Sequence, residues 1–299
     1  MKGSKKRSGF VSLVGRTNVG KSTLINTLIE HKVSITSRKP QTTRFRVLGI
    51  KTKENSQAII IDTPGYHQGH NRVLNKFMNK VAIDTLVGID VLVFVVEALR
   101  WKQEDKALLN KIPKELDNVI LVINKIDKVK NKDELLPFID KLRKLYEFSN
   151  IVPISALRKK NISQLERSIL SALPKSEFLY PEDQITDISE RLLISEIIRE
   201  KSISRVGQEI PYRTSVDIDH YKEEDSIIII NATIYVEKKS QKGIVIGQGG
   251  KRLKSIGTSA RIELEKRFDK KVLIKLWVKV KTNWTDNELF MKSLGYKIE

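Results

Sequence analysis

Eight residues near the amino terminus, Gly15-Arg16-Thr17-Asn18-Val19-Gly20-Lys21-Ser22, have the types and spacing of a loop that grips phosphate, G-x-x-x-x-G-K-[ST]. Gly15 and Gly20 let the backbone turn tightly enough for successive N–H groups to face one anion. Lys21 is placed to reach the β and γ phosphates of a nucleotide, and the Ser22 hydroxyl to bind Mg²⁺. A helix starting at Lys21 would add the positive end of its dipole. Downstream comes Asp62-Thr63-Pro64-Gly65-Tyr66 after the apolar run Ala58–Ile61. There a carboxylate holds Mg²⁺ through water and the Gly65 N–H meets a γ-phosphate. Then Asn124-Lys125-Ile126-Asp127 follows Val119–Ile123. A carboxylate at Asp127 can accept from both N1–H and the 2-amino group of guanine, a pair that adenine does not offer. Ser155-Ala156-Leu157 suits a loop closing over that base. Between the first two strings lies Gln41-Thr42-Thr43-Arg44, where a threonine must meet Mg²⁺ while a triphosphate is bound. Thr43 is the choice, with Thr42 the adjacent alternative. These strings, in this order, predict a P-loop GTPase. Tyr66 stands where other GTPases carry a water-orienting glutamine, so intrinsic turnover is expected to be slow and to lean on another group or a bound ion.

A second chemistry appears at Ile244 to Gly257, IVIGQGGKRLKSIG. Gly247-Gln248-Gly249-Gly250 makes a turn bare enough for a nucleic-acid backbone to approach main-chain N–H groups. Lys251, Arg252 and Lys254 supply attraction to phosphate. Ile244, Val245 and Ile246 read as an apolar bed for splayed bases.

The elements that must position these residues fall into two patterns. In the first half, strand-like runs (Phe10–Val14, Ala58–Ile61, Val91–Val96, Val119–Ile123) alternate with helical stretches near 21–30, 74–86, 104–111, 134–146 and 162–172. That alternation predicts a parallel sheet covered on both faces. Residues 176–187, with Pro181 and no periodicity, read as a linker between a domain at 1–175 and another at 188–299. The second part reads as a helix over 188–206, strands over 212–219 and 226–237, a helix over 252–268 and a strand over 272–281. Trp277 lies in alternation with Leu276, Val278 and Val280 and is read as core; Trp284 is left undecided between core and loop.

Composition narrows the class. With no cysteine in 299 residues there are no disulfides, thiolate metal sites or cysteine nucleophiles. His31, His67, His70 and His220 show no ligand spacing. No apolar run approaches the ~18 residues of a membrane span, and the basic start lacks a signal-peptide pattern, so the expected location is cytoplasmic. Net charge is +19, and residues 237–281 hold 14 Lys and Arg against 4 Asp and Glu. Such a local excess forecasts a polyanionic partner.

With these residues assembled, the chain resembles the bacterial Era GTPases over nearly its whole length. ITSRKPQTTR, DTPGYH, FVVEALRW, INKID and IVPISA resemble that family's GTP-binding domain. ITDISERLLISEIIREK, EIPY, IVIGQGGKRLKSIG and LWVKVK resemble its RNA-binding KH domain. The resemblance implies an α/β P-loop NTPase domain followed by a smaller α+β KH domain. It also implies Mg²⁺ as cofactor, binding near the 3′ end of 16S rRNA in small-subunit (30S) maturation, and peripheral association with the inner membrane. An asparagine in the phosphate loop, here Asn18, implies K⁺-stimulated hydrolysis. Thr17 departs from the family's usual proline. Three other readings compete: a membrane-associated signalling GTPase whose basic segment binds acidic lipid, a tRNA-modifying GTPase, and a scaffold that scarcely hydrolyses GTP. The bare G-x-x-G turn argues against the first, because lipid headgroups need charge but no backbone clamp. The lack of cysteine argues against the second.

Overall fold

The computed structural model describes residues 6–37, 42–66, 72–206 and 213–296. In chain order its main elements are β1 (Arg7–Val14), α1 (Lys21–Ile29), β2 (Val47–Lys53), β3 (Ser56–Asp62), α2 (Val73–Asp84), β4 (Val91–Glu97), α3 (Gln103–Leu109), β5 (Val119–Asn124), α4 (Leu135–Arg143), β6 (Asn150–Pro153) and α5 (Ile162–Ala172). There follow α6 (Glu190–Arg205), β7 (Ser215–Glu223), β8 (Ile227–Val236), α7 (Lys239–Ile246), α8 (Lys251–Phe268), β9 (Lys271–Val280) and α9 (Glu288–Ser293). The chain divides into two units. One comprises Met1–Ser34, Thr43–His70 and Met78–Asp187; the other comprises Ile35–Thr42, Asn71–Phe77 and Ile188–Glu299.

The first unit holds a six-stranded sheet in the order β2-β3-β1-β4-β5-β6. Five strands pair in parallel, as the alternation of strand and helix requires. β2 corrects the all-parallel expectation: it pairs antiparallel with β3 at the sheet's edge. Its sequence, VLGIKTK, carries a glycine and two lysines and gave no strand signal of its own. The apolar runs of β4 and β5 are buried on both sides. Leu92, Phe94, Val96, Leu121 and Ile123 pack with Leu108 of α3 and Leu142 of α4, while Val93, Val95 and Val122 are buried on the opposite face. Such double coverage is why these strands read as continuous hydrophobic runs rather than alternating ones. Residues of the 176–187 segment run beside β2 and β3. The buried Gln57 carboxamide accepts from the N–H of Leu179 (2.9 Å) and Tyr180 (3.0 Å), and Ile50 N–H donates to Ile185 O (2.7 Å).

The second unit is built on a three-stranded sheet, β7-β8-β9, antiparallel then parallel. Its core collects Ile194, Ile197 and Ile198 of α6, Ile228, Ile230 and Ile234 of β8, Val245 of α7, and Ile256, Ala260 and Leu264 of α8. α6 begins at Ser189, whose hydroxyl accepts from Leu192 N–H. α7 was not legible as a separate helix. It turns Val245 inward while Ile244 faces out.

Candidate functional site

The phosphate loop spans the gap between the end of β1 and the start of α1, and its two glycines are fixed by close approach. A Cβ on Gly15 would lie 2.4 Å from Val95 O, and one on Gly20 2.4 Å from Asn124 Nδ2. Gly20 also has φ 103°, which favours glycine. Lys21 is buried, and its ammonium donates to Gly15 O (2.9 Å) and Arg16 O (3.1 Å), bracing the loop across its mouth. Burial lowers its pKa to about 8, against the opposing pull of the Asp62 carboxylate.

Ser22, Thr43 and Asp62 converge at the end of that loop. The Ser22 and Thr43 hydroxyls are 2.7 Å apart, and Thr43 Oγ1 lies 3.5 Å from Asp62 Oδ2. Ser34 Oγ donates to the same carboxylate oxygen at 2.7 Å. Asp62 Oδ1 is buried and has no hydrogen-bond partner among the described residues. Burial pushes the Asp62 carboxyl above its ordinary pKa, more than Lys21 and the hydroxyls pull it down. A buried oxygen lacking a partner beside two hydroxyls is a hard-oxygen donor set, which fits Mg²⁺ with water and phosphate completing its shell. Of the two threonines weighed, Thr43 meets Ser22. Thr42 groups with the second unit, where its carbonyl accepts from the Arg199 guanidinium. Arg44 is buried, and Gln41 lies outside the described residues.

The Asp62-to-Tyr66 segment closes against the loop. Thr63 Oγ1 donates to Leu13 O (2.9 Å), Pro64 leads into Gly65, and a Cβ on Gly65 would meet Thr17 Cα at 2.8 Å. Tyr66 bridges to Arg16, and its half-buried side chain packs against the core under β4 and β5, with the Lys111 ammonium 5.8 Å from its ring centroid. An aromatic ring in that setting has no carboxamide with which to hold a water.

The base site is framed by one side chain. Asn124 Nδ2 donates to Val19 O (2.9 Å), and its Oδ1 accepts from Lys125 N–H (2.7 Å) and Ala156 N–H (3.0 Å). Lys125 Nζ donates to Asn18 O (2.5 Å) and Glu97 Oε2 (3.0 Å). Ile126 opens a short 3₁₀ turn that carries Asp127, whose Oδ1 accepts from Ser155 Oγ at 2.5 Å. Asp127 is exposed, so its carboxylate can meet the edge of a base.

Three residues here had no signal of their own in the sequence. Ser34 acts on Asp62. Glu97 and Asp105 hold the loop from below: Arg16 Nη2 lies 3.4 Å from Glu97 Oε2 and its Nε donates to Asp105 at 3.1 Å. Glu97 thereby joins Arg16 of the phosphate loop to Lys125 of the base site. Burial raises its pKa, but the Lys125 contact, with Arg100 and Arg16, prevails and holds it below its ordinary value. Only the quoted run FVVEALRW pointed at Glu97.

In the second unit the G-x-x-G turn joins α7 to α8. Gly247, Gly249 and Gly250 have φ of 73°, 56° and 77°. A Cβ on Gly247 would strike Arg252, whereas Gly249 and Gly250 face open space. Gln248, Gly249, Lys251 and Lys254 are exposed. Arg252 is half-buried, its guanidinium donating to Ile244 O. The expected bed of three residues narrows to Ile244 and Ile246, because one helical turn carries Val245 into the core. The Trp277 reading is overturned: the indole is 45% exposed. Trp284 is fully buried, its Nε1 donating to Arg213 O (3.0 Å). His31 and His220 are exposed; His67, His70 and the EIPY run lie outside the described residues.

Comparison with known proteins agrees with this division. A family described as 50S ribosome-binding GTPase matches residues 10–125, and the KH domain family matches residues 209–285. The chain is 49% identical over 289 residues to a protein of Coxiella burnetii (strain RSA 331 / Henzerling II) named GTPase Era, covering 97% of this chain and 98% of that one. It is 47% identical over 291 residues to the GTPase Era of Marinobacter nauticus, covering 97% and 95%. Among solved structures it is similar to Era in complex with MgGDPNP and nucleotides 1506–1542 of 16S ribosomal RNA. The TM-score is 0.94 and the identity 41%, covering 98% of this chain and all of that one.

Proposed function

The chain belongs to the Era family of GTPases, and from that premise we propose that it is a GTP-driven switch that binds 16S rRNA near its 3′ end during small-subunit assembly. The observation that carries the proposal is the buried Asp62 oxygen beside the Ser22 and Thr43 hydroxyls, a site whose donors suit a metal-bound triphosphate. Ser22, Thr43 and Asp62 would hold Mg²⁺, which when bound neutralises charge on the β and γ phosphates. The main-chain N–H groups from Gly15 to Ser22 and the Lys21 ammonium orient those phosphates. Asp127, braced by Ser155, selects guanine, and Asn124 keeps the base and phosphate loops in register.

The second unit supplies the RNA contact. The Gly247–Gly250 turn admits a phosphate backbone, Lys251, Arg252 and Lys254 attract it, and Ile244 and Ile246 offer apolar support to unstacked bases. The working location is the cytoplasm, where the rRNA is. Peripheral contact with the inner membrane would be made by the basic surface, since no described helix is long and apolar enough to cross a bilayer. Flotation of the protein with acidic vesicles checks that contact. Asn18 is the proposed ligand of a K⁺ ion that would supply the positive charge of a missing cationic finger, and equal turnover in KCl and NaCl would remove it from the mechanism.

The central experiment is UV cross-linking with RNA mapping in the GTP-analogue state, comparing wild type with the double change Gln248→Asp, Gly249→Asp. Cross-links at the 16S 3′ end that vanish in the variant are expected. Cross-links that persist, or scatter over all RNA, would mean attraction by charge without a clamp.

A further inference from the structure

In the second unit α6, α7 and α8 pack on one face of the three-stranded sheet; on the other, α9 reaches its end, where Phe290 meets Tyr235 of β8 with ring centroids 5.0 Å apart. Ile228, Ile230 and Ile234 of β8, with Val272 and Val278 of β9, belong to the core that includes α7 and α8, the helices flanking the G-x-x-G turn. Side chains alternate along a strand, so Lys271, Leu273, Lys275, Trp277 and Lys279 stand on the other face. Trp277 is 45% exposed and Leu273 43%. The parallel register sets Leu273 beside Ile229, Lys275 beside Asn231 and Trp277 beside Thr233; the first two β8 residues are half-buried and Thr233 is buried, so the exposed row is that of β9 itself.

The charge pattern of this face says what it fits. Among the described residues no carboxylate lies within ion-pair distance of Lys271, Lys275 or Lys279. At about 3.3 Å per residue, Trp277 sits roughly 6.6 Å from the Cα of Lys275 and of Lys279. The acidic residues of the sheet, Asp217, Asp219 and Glu223, all lie on β7 at the opposite edge, where Asp219 accepts from Thr233 Oγ1 at 2.7 Å and Glu223 pairs with Lys270. A polyanion would therefore run along β9 rather than across the sheet. The apolar core of a protein–protein interface is depleted in lysine, whereas every apolar side chain in this row is bracketed by lysines. An exposed aromatic plane between cations is the arrangement that stacks a base while its neighbouring phosphates are neutralised.

We propose that the uncovered face of β9 is a second contact for single-stranded RNA, with one base stacked on Trp277 and flanking phosphates on Lys275 and Lys279. The proposal rests on the RNA-binding reading above and extends it to the face of the sheet opposite α7 and α8. A strand that engages both the G-x-x-G turn and this row passes around the edge formed by β9.

The test is fluorescence anisotropy of the full chain, in the GTP-analogue state, with a labelled single-stranded RNA corresponding to the 16S 3′ end. Trp277→Ala should weaken binding roughly tenfold, the scale of one lost base stack, while Trp277→Phe retains most of the affinity. Lys275→Glu with Lys279→Glu should weaken it and flatten its salt dependence. GTP turnover without RNA serves as the folding control, since none of these residues touches the nucleotide site. The fold-losses of Trp277→Ala and of Gln248→Asp, Gly249→Asp should multiply when combined, which a purely structural effect on one site would not give. Affinity within twofold of wild type in both the Trp277→Ala and the double-lysine variants overturns the proposal, even if the G-x-x-G variant loses binding and so upholds the RNA reading. If the G-x-x-G variant leaves affinity unchanged while Trp277→Ala removes it, the turn is refuted and this face upheld. Phosphatidylglycerol vesicles provide the remaining arm: vesicle binding that depends on Trp277, with RNA binding that does not, would assign the face to a lipid surface instead.

Discussion

The nucleotide site and the RNA-facing module solve the problem of binding phosphate in opposite ways. In the first, cation and dipole are buried and each is held by named partners: Lys21 by two loop carbonyls, Arg16 by Glu97 and Asp105, Asn124 by three loops. In the second, Lys251, Lys254, Lys275 and Lys279 stand in water on the first turn of a helix and on a strand. The first reads its ligand by fixed geometry and tolerates little change. The second gathers a flexible polymer by charge, and only its glycine turn and Trp277 impose shape.

The largest expected contrast comes from one substitution placed in both regions. Gly15→Ala drives a methyl into Val95 O and should destabilise the fold by about 3 kcal/mol and abolish nucleotide binding. Gly249→Ala faces open space and should cost only about 1 kcal/mol, for its positive φ. Thermal melts and labelled-nucleotide titrations of the pair decide this, and equal losses would end the comparison. Next in size is salt. Raising it from about 50 to about 200 mM should weaken RNA binding roughly 100-fold if about five phosphates are contacted, while GTP affinity moves less than about threefold. A salt-insensitive RNA complex would contradict the role given to the lysines.

Smaller effects probe Glu97. Glu97→Gln leaves Lys125 and Arg16 short of a buried carboxylate, and affinities for GDP and GTP should both fall roughly tenfold. Calorimetric titration that finds only one nucleotide affected would place Glu97 outside the shared frame. The smallest effect is its pH dependence. The Glu97 pKa is held below its ordinary 4.5, so its contribution to stability is present above that value and lost as pH falls through the depressed folded value. The gap in melting temperature between wild type and Glu97→Gln should therefore narrow with acidification below pH 4.5; a widening gap would reverse the assigned sign.

How legible each region was follows from the same contrast. Strings such as GRTNVGKS and NKID could be read because their partners lie within a few residues and the chemistry fixes the spacing. Ser34 could not: it reaches Asp62 from 28 positions away, through the fold alone. Glu97 at the end of β4 and Asp105 on α3 likewise meet Arg16 only through the fold. The β9 segment shows a different failure. Apolar side chains occur on both of its faces, Val272 and Val278 inward, Leu273 and Trp277 outward, so alternation gave the strand without its phase. A slip of one residue exchanges the faces, which is how Trp277 came to be assigned to the core. β2 escaped because an edge strand of lysine and glycine needs no apolar run. Val245 reads as part of the apolar bed in the sequence because α7, which turns it inward, carries no separate helical signal there.

Asn124 also determines how the molecule fails. Its one carboxamide holds Val19 of the phosphate loop, the backbone of Lys125, and the Ala156 amide of the base-closing loop. Three stretches are thus tied through a single side chain, and loosening it is expected to loosen all three. Loss of that carboxamide should weaken the phosphate grip and the guanine site together. Damage at Asn124 is therefore expected to silence the switch rather than redirect it to ATP.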